Sequence, residues 1–270
     1  MGLEFTDTHC HLYFDAFDGD REQVVERARS AGLVRILSPG IDLETSRAAI
    51  RLAEKYSEVY TAVGIHPNSA TEWNRDTLAE LRSLASHSKV VAIGEIGLDY
   101  YRDRAPKDVQ KQVFREQLAL AAEIGLPVVL HNRQASDDIL DILSGWQVQL
   151  LKAGSQLVDR LGVMHSFTAD METAKKALAL GFRIGITGPV TFRNAGELQA
   201  VVKSLPIEHV LIETDAPFLA PHPLRGKRNE PAYVVKVAEK IAEFHELPLP
   251  TVANITTGNA DRLFQWREIF

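Results

Sequence analysis

Eight short runs rich in Val, Ile and Leu alternate along this chain with segments whose apolar residues recur at i, i+3, i+4 and i+7. That alternation limits the possible folds more than any other feature. The runs are LEFTDTH, VRILSPG, VYTAVGIH, VVAIGEIG, LPVVLH, LGVMHSF, FRIGITG and HVLIETD. Strands separated by helices pair in parallel through right-handed crossovers, and nearly continuous apolar strands require a sheet covered on both faces. Eight such units predict a (β/α)8 TIM barrel of the α/β class. LPTVANITTGNADRLF then supplies an extra C-terminal helix. No linker or compositional break divides residues 1–270, so one domain is expected, a common size for such barrels.

In a barrel of this kind the carboxyl ends of the strands meet at one mouth. His9 and His11 follow the first run, Glu95 closes the fourth, His131 the fifth, His165 the sixth and Asp215 the eighth. Positions i and i+2 of a strand share a face, which aims His9 and His11 at the barrel axis and turns Cys10 outward as a small apolar packing residue. A single histidine after an apolar strand is more often a hydrogen-bonded core residue. Six converging ionisable groups are different, because burying them without compensating charge is costly and divalent cations supply that charge.

Six ligands exceed what a single catalytic zinc takes, so two ions bridged by a carboxylate are expected. Glu95 is the expected bridge, with His9, His11 and Asp215 on one ion and His131 and His165 on the other. Imidazole and carboxylate ligands suit Zn or Mn, and Mg is compatible. His66 ends the third run near the same mouth, outside the six. Glu213 shares the inward face of Asp215 one layer deeper, where it would pair with a cation or set a ligand's tautomer.

The series DTHCHL, GIHP, GEIGLDYYRD, HNR, MHSFT, GPVTFRNA, ETDAPFLAP, RGKRNEP and TTGNADRLF resembles the TatD family of metal-dependent deoxyribonucleases, within the amidohydrolase-like barrels. The likeness spans nearly the whole chain. It implies the same six ligands and hydrolysis of DNA, commonly from the 3′ end of a single strand. Two departures flank the expected mouth: residues 143–161 form a long segment between the fifth and sixth strands, and Ala169 stands where a glycine is common.

Phosphodiester hydrolysis would use Asp215 as ligand and base, Glu95 as the bridge, and His66 to orient the phosphate or protonate the leaving oxygen. Arg133, Arg225, Lys227 and Arg228 are candidates to grip phosphate. Tyr100, Tyr101 and Phe192 are candidates to stack on bases, and packing of the barrel rim is the competing role for each.

A formal charge of −6 argues against broad nonspecific binding to nucleic acid and leaves room for a local basic groove. The rival function is cleavage of an amide, ester or lactone in a closed apolar pocket by the same metals. With one cysteine, no signal sequence and no apolar stretch of bilayer length, a cytoplasmic monomer is expected, with no membrane partner.

Overall fold

The computed structural model describes residues 2–102 and 104–266. Its strands are β1 (Phe5–Asp7), β2 (Leu33–Pro39), β3 (Val59–Val63), β4 (Val90–Asp99), β5 (Val128–Arg133), β6 (Gly162–Met164), β7 (Arg183–Ile186) and β8 (Val210–Ile212). They form one parallel sheet in chain order. Helices α1 (Arg21–Ser30), α2 (Leu43–Lys55), α3 (Arg75–Ala85), α4 (Lys107–Ile124), α5 (Ser136–Lys152), α6 (Met171–Ala179), α7 (Gly196–Ser204) and α8 (Val234–His245) follow the strands in turn. The C-terminal helix α9 covers Leu249–Phe264, the residues its periodicity marks out.

The expected barrel is present, and its seam lies at the mouth. Beyond the ends of β1 and β8, Thr8 N donates to Ile212 O at 3.1 Å, Asp215 N to His9 O at 2.8 Å and His11 N to Ala216 O at 2.8 Å. The backbone that presents His9, His11 and Asp215 therefore also closes the sheet.

Period-two alternation stacks His131, His165 and Glu213 above core residues. Val129, Val163 and Leu211 join Leu37, Tyr60, Ala62 and Val91 in an apolar layer, and His131, His165 and Glu213 follow two positions later on the same face. Ala260, Leu263 and Phe264 of α9 complete that layer. A larger apolar shell packs the strands against the surrounding helices.

Strand β4 is buried along its full length and runs past Glu95 to Asp99. At Gly97 (φ +141°) a Cβ would fall 2.0 Å from His131 O, so only glycine lets β4 pass β5 this closely. Helix α5 runs to Lys152, beyond the periodic SDDILDILSGW, and takes up much of the long segment 143–161. Trp146 and Leu150 are buried on its inner face. No helix among the described residues is long and apolar enough to cross a membrane.

Candidate metal centre and cleft

Glu95 lies at the centre of the mouth and divides its two oxygens. Oε2 lies 3.5 Å from His9 Nε2 and 3.7 Å from His11 Nε2. Oε1 lies 2.8 Å from His131 Nδ1, 3.6 Å from His66 Nε2 and 4.0 Å from His165 Nε2. Asp215 Oδ1 completes the first side, 3.5 Å from His11 Nε2 and 3.9 Å from His9 Nε2.

Among the described residues, three groups have potential ligand atoms within 4.8 Å of one another: His9, His11 and Asp215; His9, Glu95 and His165; and His66, Glu95 and His131. The donor set fits divalent cations. His9 Nε2 and His11 Nε2 approach to 3.2 Å, where one proton at most can sit between them, and both nitrogens turn toward carboxylates. A cation satisfies both lone pairs at once.

His131 and His165, expected on one ion, fall in different groups of potential ligand atoms, each of which includes Glu95. Glu213 Oε1 lies 2.9 Å from His165 Nδ1, which turns Nε2 toward Asp215 at 3.8 Å and stacks the ring on His9 at 3.4 Å. His66 takes the place beside His131 and Glu95. Glu213 thus sets the orientation of the His165 ring, and Gly185 makes room for it: a Cβ there would lie 2.5 Å from Glu213 Oε2.

Burial and charge act in opposite directions across the cluster. For His66, desolvation and then the neighbouring His131 charge push the pKa down to about 3. Its Nδ1 accepts from Asn68 N at 3.1 Å, so Nε2 carries the hydrogen and faces the site. A neutral imidazole donates a hydrogen bond and is a poor proton source at neutral pH, which favours the orienting role over the acid role for His66. Desolvation also lowers His9, to about 4. Burial opposes the charged form of His165, yet the charge and bond of Glu213 prevail and raise it to about 10. His131 is raised against the same burial by its bonds to Asp99 and Glu95. For Glu95 burial is outweighed by His66, His131 and His9, which hold the carboxyl well below its usual range.

Two carboxylates at the site escaped the sequence reading. Asp99 Oδ2 lies 3.1 Å from His131 Nε2, while Oδ1 accepts from Tyr101 N at 3.0 Å and Arg102 N at 2.8 Å. Burial works against its ionisation, but these bonds bring its pKa to about 2. Its sequence signal was its place four residues after Glu95 on the same strand face. Asp7, fully buried, accepts from His9 N at 3.2 Å and Thr214 N at 2.9 Å, tying together the two segments that carry His9 and Asp215.

Above these groups opens a cleft of about 660 Å³. Arg102, Arg104 and Arg133 line it, as do Phe14, Phe218 and Leu219. Of the expected substrate contacts only Arg133 is at this wall, its guanidinium 4.0 Å over the Tyr101 ring. Tyr100 is held at the rim: its hydroxyl donates to Asp138 Oδ2 at 2.5 Å and Lys107 Nζ sits 4.3 Å over its ring.

The RGKRNEP loop likewise sends its cations elsewhere. Arg228 pairs with both oxygens of Asp20 at 2.6 and 2.7 Å and with Glu230 at 3.0 Å. Arg225 lies 4.5 Å over the Phe192 ring, covering that candidate stacking face. Lys227 is exposed and outside the cleft lining. Cys10 is fully buried and unpaired.

The family model described as TatD related DNase matches residues 6–265. A protein of Bacillus subtilis named as an uncharacterized metal-dependent hydrolase is 47% identical over 259 residues, covering 96% of this chain and 98% of that protein. A protein of Pectobacterium parmentieri named as a 3′-5′ ssDNA/RNA exonuclease is 38% identical over 265 residues, with 96% and 98% covered. Among solved structures, a TatD homologue from Escherichia coli superposes with a TM-score of 0.88 at 33% identity, covering 97% of this chain and 98% of that one.

Proposed function

The chain belongs to the TatD-related DNase family of metal-dependent hydrolases, and on that premise we propose that it removes nucleotides from the 3′ end of single-stranded DNA using two divalent cations, Zn, Mg or Mn. The observation that carries the reading is the division of Glu95, one oxygen toward His9 and His11 and the other toward His131, beneath a wall of three arginines. A closed apolar pocket for a small ester or amide would not need that wall.

His9, His11, Glu95, His131, His165 and Asp215 would hold the ions, with Glu95 between them. Bound there, the cations supply charge to the nonbridging phosphate oxygens and acidify the attacking water. Asp215, held below its ordinary pKa by His11 and His165 in spite of burial, is ionised at neutral pH and accepts the water's proton. His66 donates from Nε2 to a phosphate oxygen and so positions it. Arg102, Arg104 and Arg133 hold the flanking backbone. The reading takes the chain as a cytoplasmic monomer of one domain, in which Cys10 stays reduced.

The test strips the protein of metal, re-supplies Mg, Mn or Zn, and offers end-labelled single-stranded DNA, duplex DNA, RNA, and a panel of small esters and amides. The expected result is metal-dependent shortening of the single strand from its 3′ end, lowered more than about 100-fold in Glu95→Ala and Asp215→Ala. Turnover of an ester or amide with the strand left intact overturns it.

A further inference from the structure

Six large apolar side chains are exposed among the described residues, and Phe218 (52%) and Leu219 (37%) both stand at the cleft. Single exposed hydrophobes need no explanation. These two continue inward as an aromatic series: the Phe218 ring meets Phe14 edge-on at 5.7 Å and 74°, and Phe14 meets the candidate ligand His11 at 5.2 Å and 60°. The series runs from the metal centre to the mouth.

The segment that carries Phe218 is held firmly. Phe218 N donates to Asp215 O at 2.9 Å, and Asn229 Nδ2 donates to Phe218 O at 2.6 Å. Leu219 takes a left-handed backbone (φ +54°), and its carbonyl would lie 2.0 Å from a Cβ on Gly188, so the two segments interlock. An aromatic face fixed in water beside a charged centre loses little entropy when a flat ligand covers it.

We propose that Phe218, backed by Phe14, is the seat for a nucleobase flanking the scissile phosphate, while Arg102, Arg104 and Arg133 take the backbone. The proposal rests on the nuclease reading and adds to it where the base lies. Only an unpaired base offers a free face to Phe218, so the seat favours single strands over duplex.

The test measures anisotropy of a short 5′-fluorescein oligothymidylate bound to the protein in EDTA, which keeps the strand whole. A second strand lacks the bases on both sides of its terminal phosphodiester. Phe218→Ala is expected to weaken binding of the complete strand about 5- to 100-fold and of the abasic strand much less, with Phe218→Trp restoring the wild-type difference. With metal re-supplied, the Phe218→Ala loss is expected mainly in KM.

Equal weakening of both strands, or none, overturns the seat while cleavage by wild-type protein leaves the nuclease reading standing. A wild-type protein that neither binds nor shortens the complete strand overturns the nuclease reading and the seat with it. Because Phe218 is half-exposed, the variant's thermal unfolding should match wild type, which separates lost contact from lost fold.

Discussion

At the scale of single residues, the cluster holds protons that bound cations would have to displace. His131 and His165 both carry raised pKa values, His165 near 10, set by Asp99 and Glu95 in one case and Glu213 in the other after burial has been overcome. A value near 10 means that His165 is protonated in the free protein at neutral pH, the raised pKa of His131 acts in the same direction, and an imidazole must be neutral to ligate a metal. Metal affinity should therefore rise with pH from about 6.5 toward about 10. Calorimetry in buffers of different ionisation enthalpy should register proton release, and a pH-independent affinity would contradict it. Asp99 bonds His131 on the side away from Glu95 and also fixes the turn bearing Arg102. Asp99→Asn should lower metal affinity about 10- to 100-fold, measured by competition with a chromogenic chelator. An unchanged affinity would reduce Asp99 to a turn residue.

At the scale of elements, residues just past the strands do more than their secondary structure suggests. β1, β6 and β8 are only 3 residues each because the backbone leaves the ladder where it presents the candidate ligands. β8 ends before Asp215, whose φ of +55° aims its carboxylate into the mouth. The opposite end of the barrel depends on α9. Phe264 is buried with Tyr60, Val91 and Leu211, and Asn259 donates to Ile207 O and Val210 O at 2.8 Å each. Phe264→Ala should cost about 3–5 kcal/mol in denaturant unfolding. A loss below about 1 kcal/mol would mean that α9 is an accessory to the barrel.

At the scale of the molecule, a chain of charge −6 must hold a polyanion by local arrangement. Three arginines meet the cleft while Arg228, among the cations that seemed best placed in the sequence, is neutralised by Asp20 and Glu230. If each cleft arginine holds one phosphate, the slope of log Kd against log salt should be about 2 and fall by about 0.7 in Arg104→Ala. A slope near zero would remove the arginine wall from substrate binding.

The sequence by itself determined the barrel, the extra C-terminal helix and the gathering of His9, His11, Glu95, His131, His165 and Asp215 at one mouth. These follow from periodicity and strand direction, which operate over a few residues and so are written locally. Only the tertiary structure decided how the candidate ligands are arranged about Glu95, why His66 is neutral, and which cations and aromatics face the cleft. Those depend on partners far apart in the chain: Glu213 turns His165 from 48 positions away, and Asp20 claims Arg228 across 208. A charged or aromatic side chain on a loop goes to whichever partner the folded chain brings nearest, and local pattern carries no record of that partner.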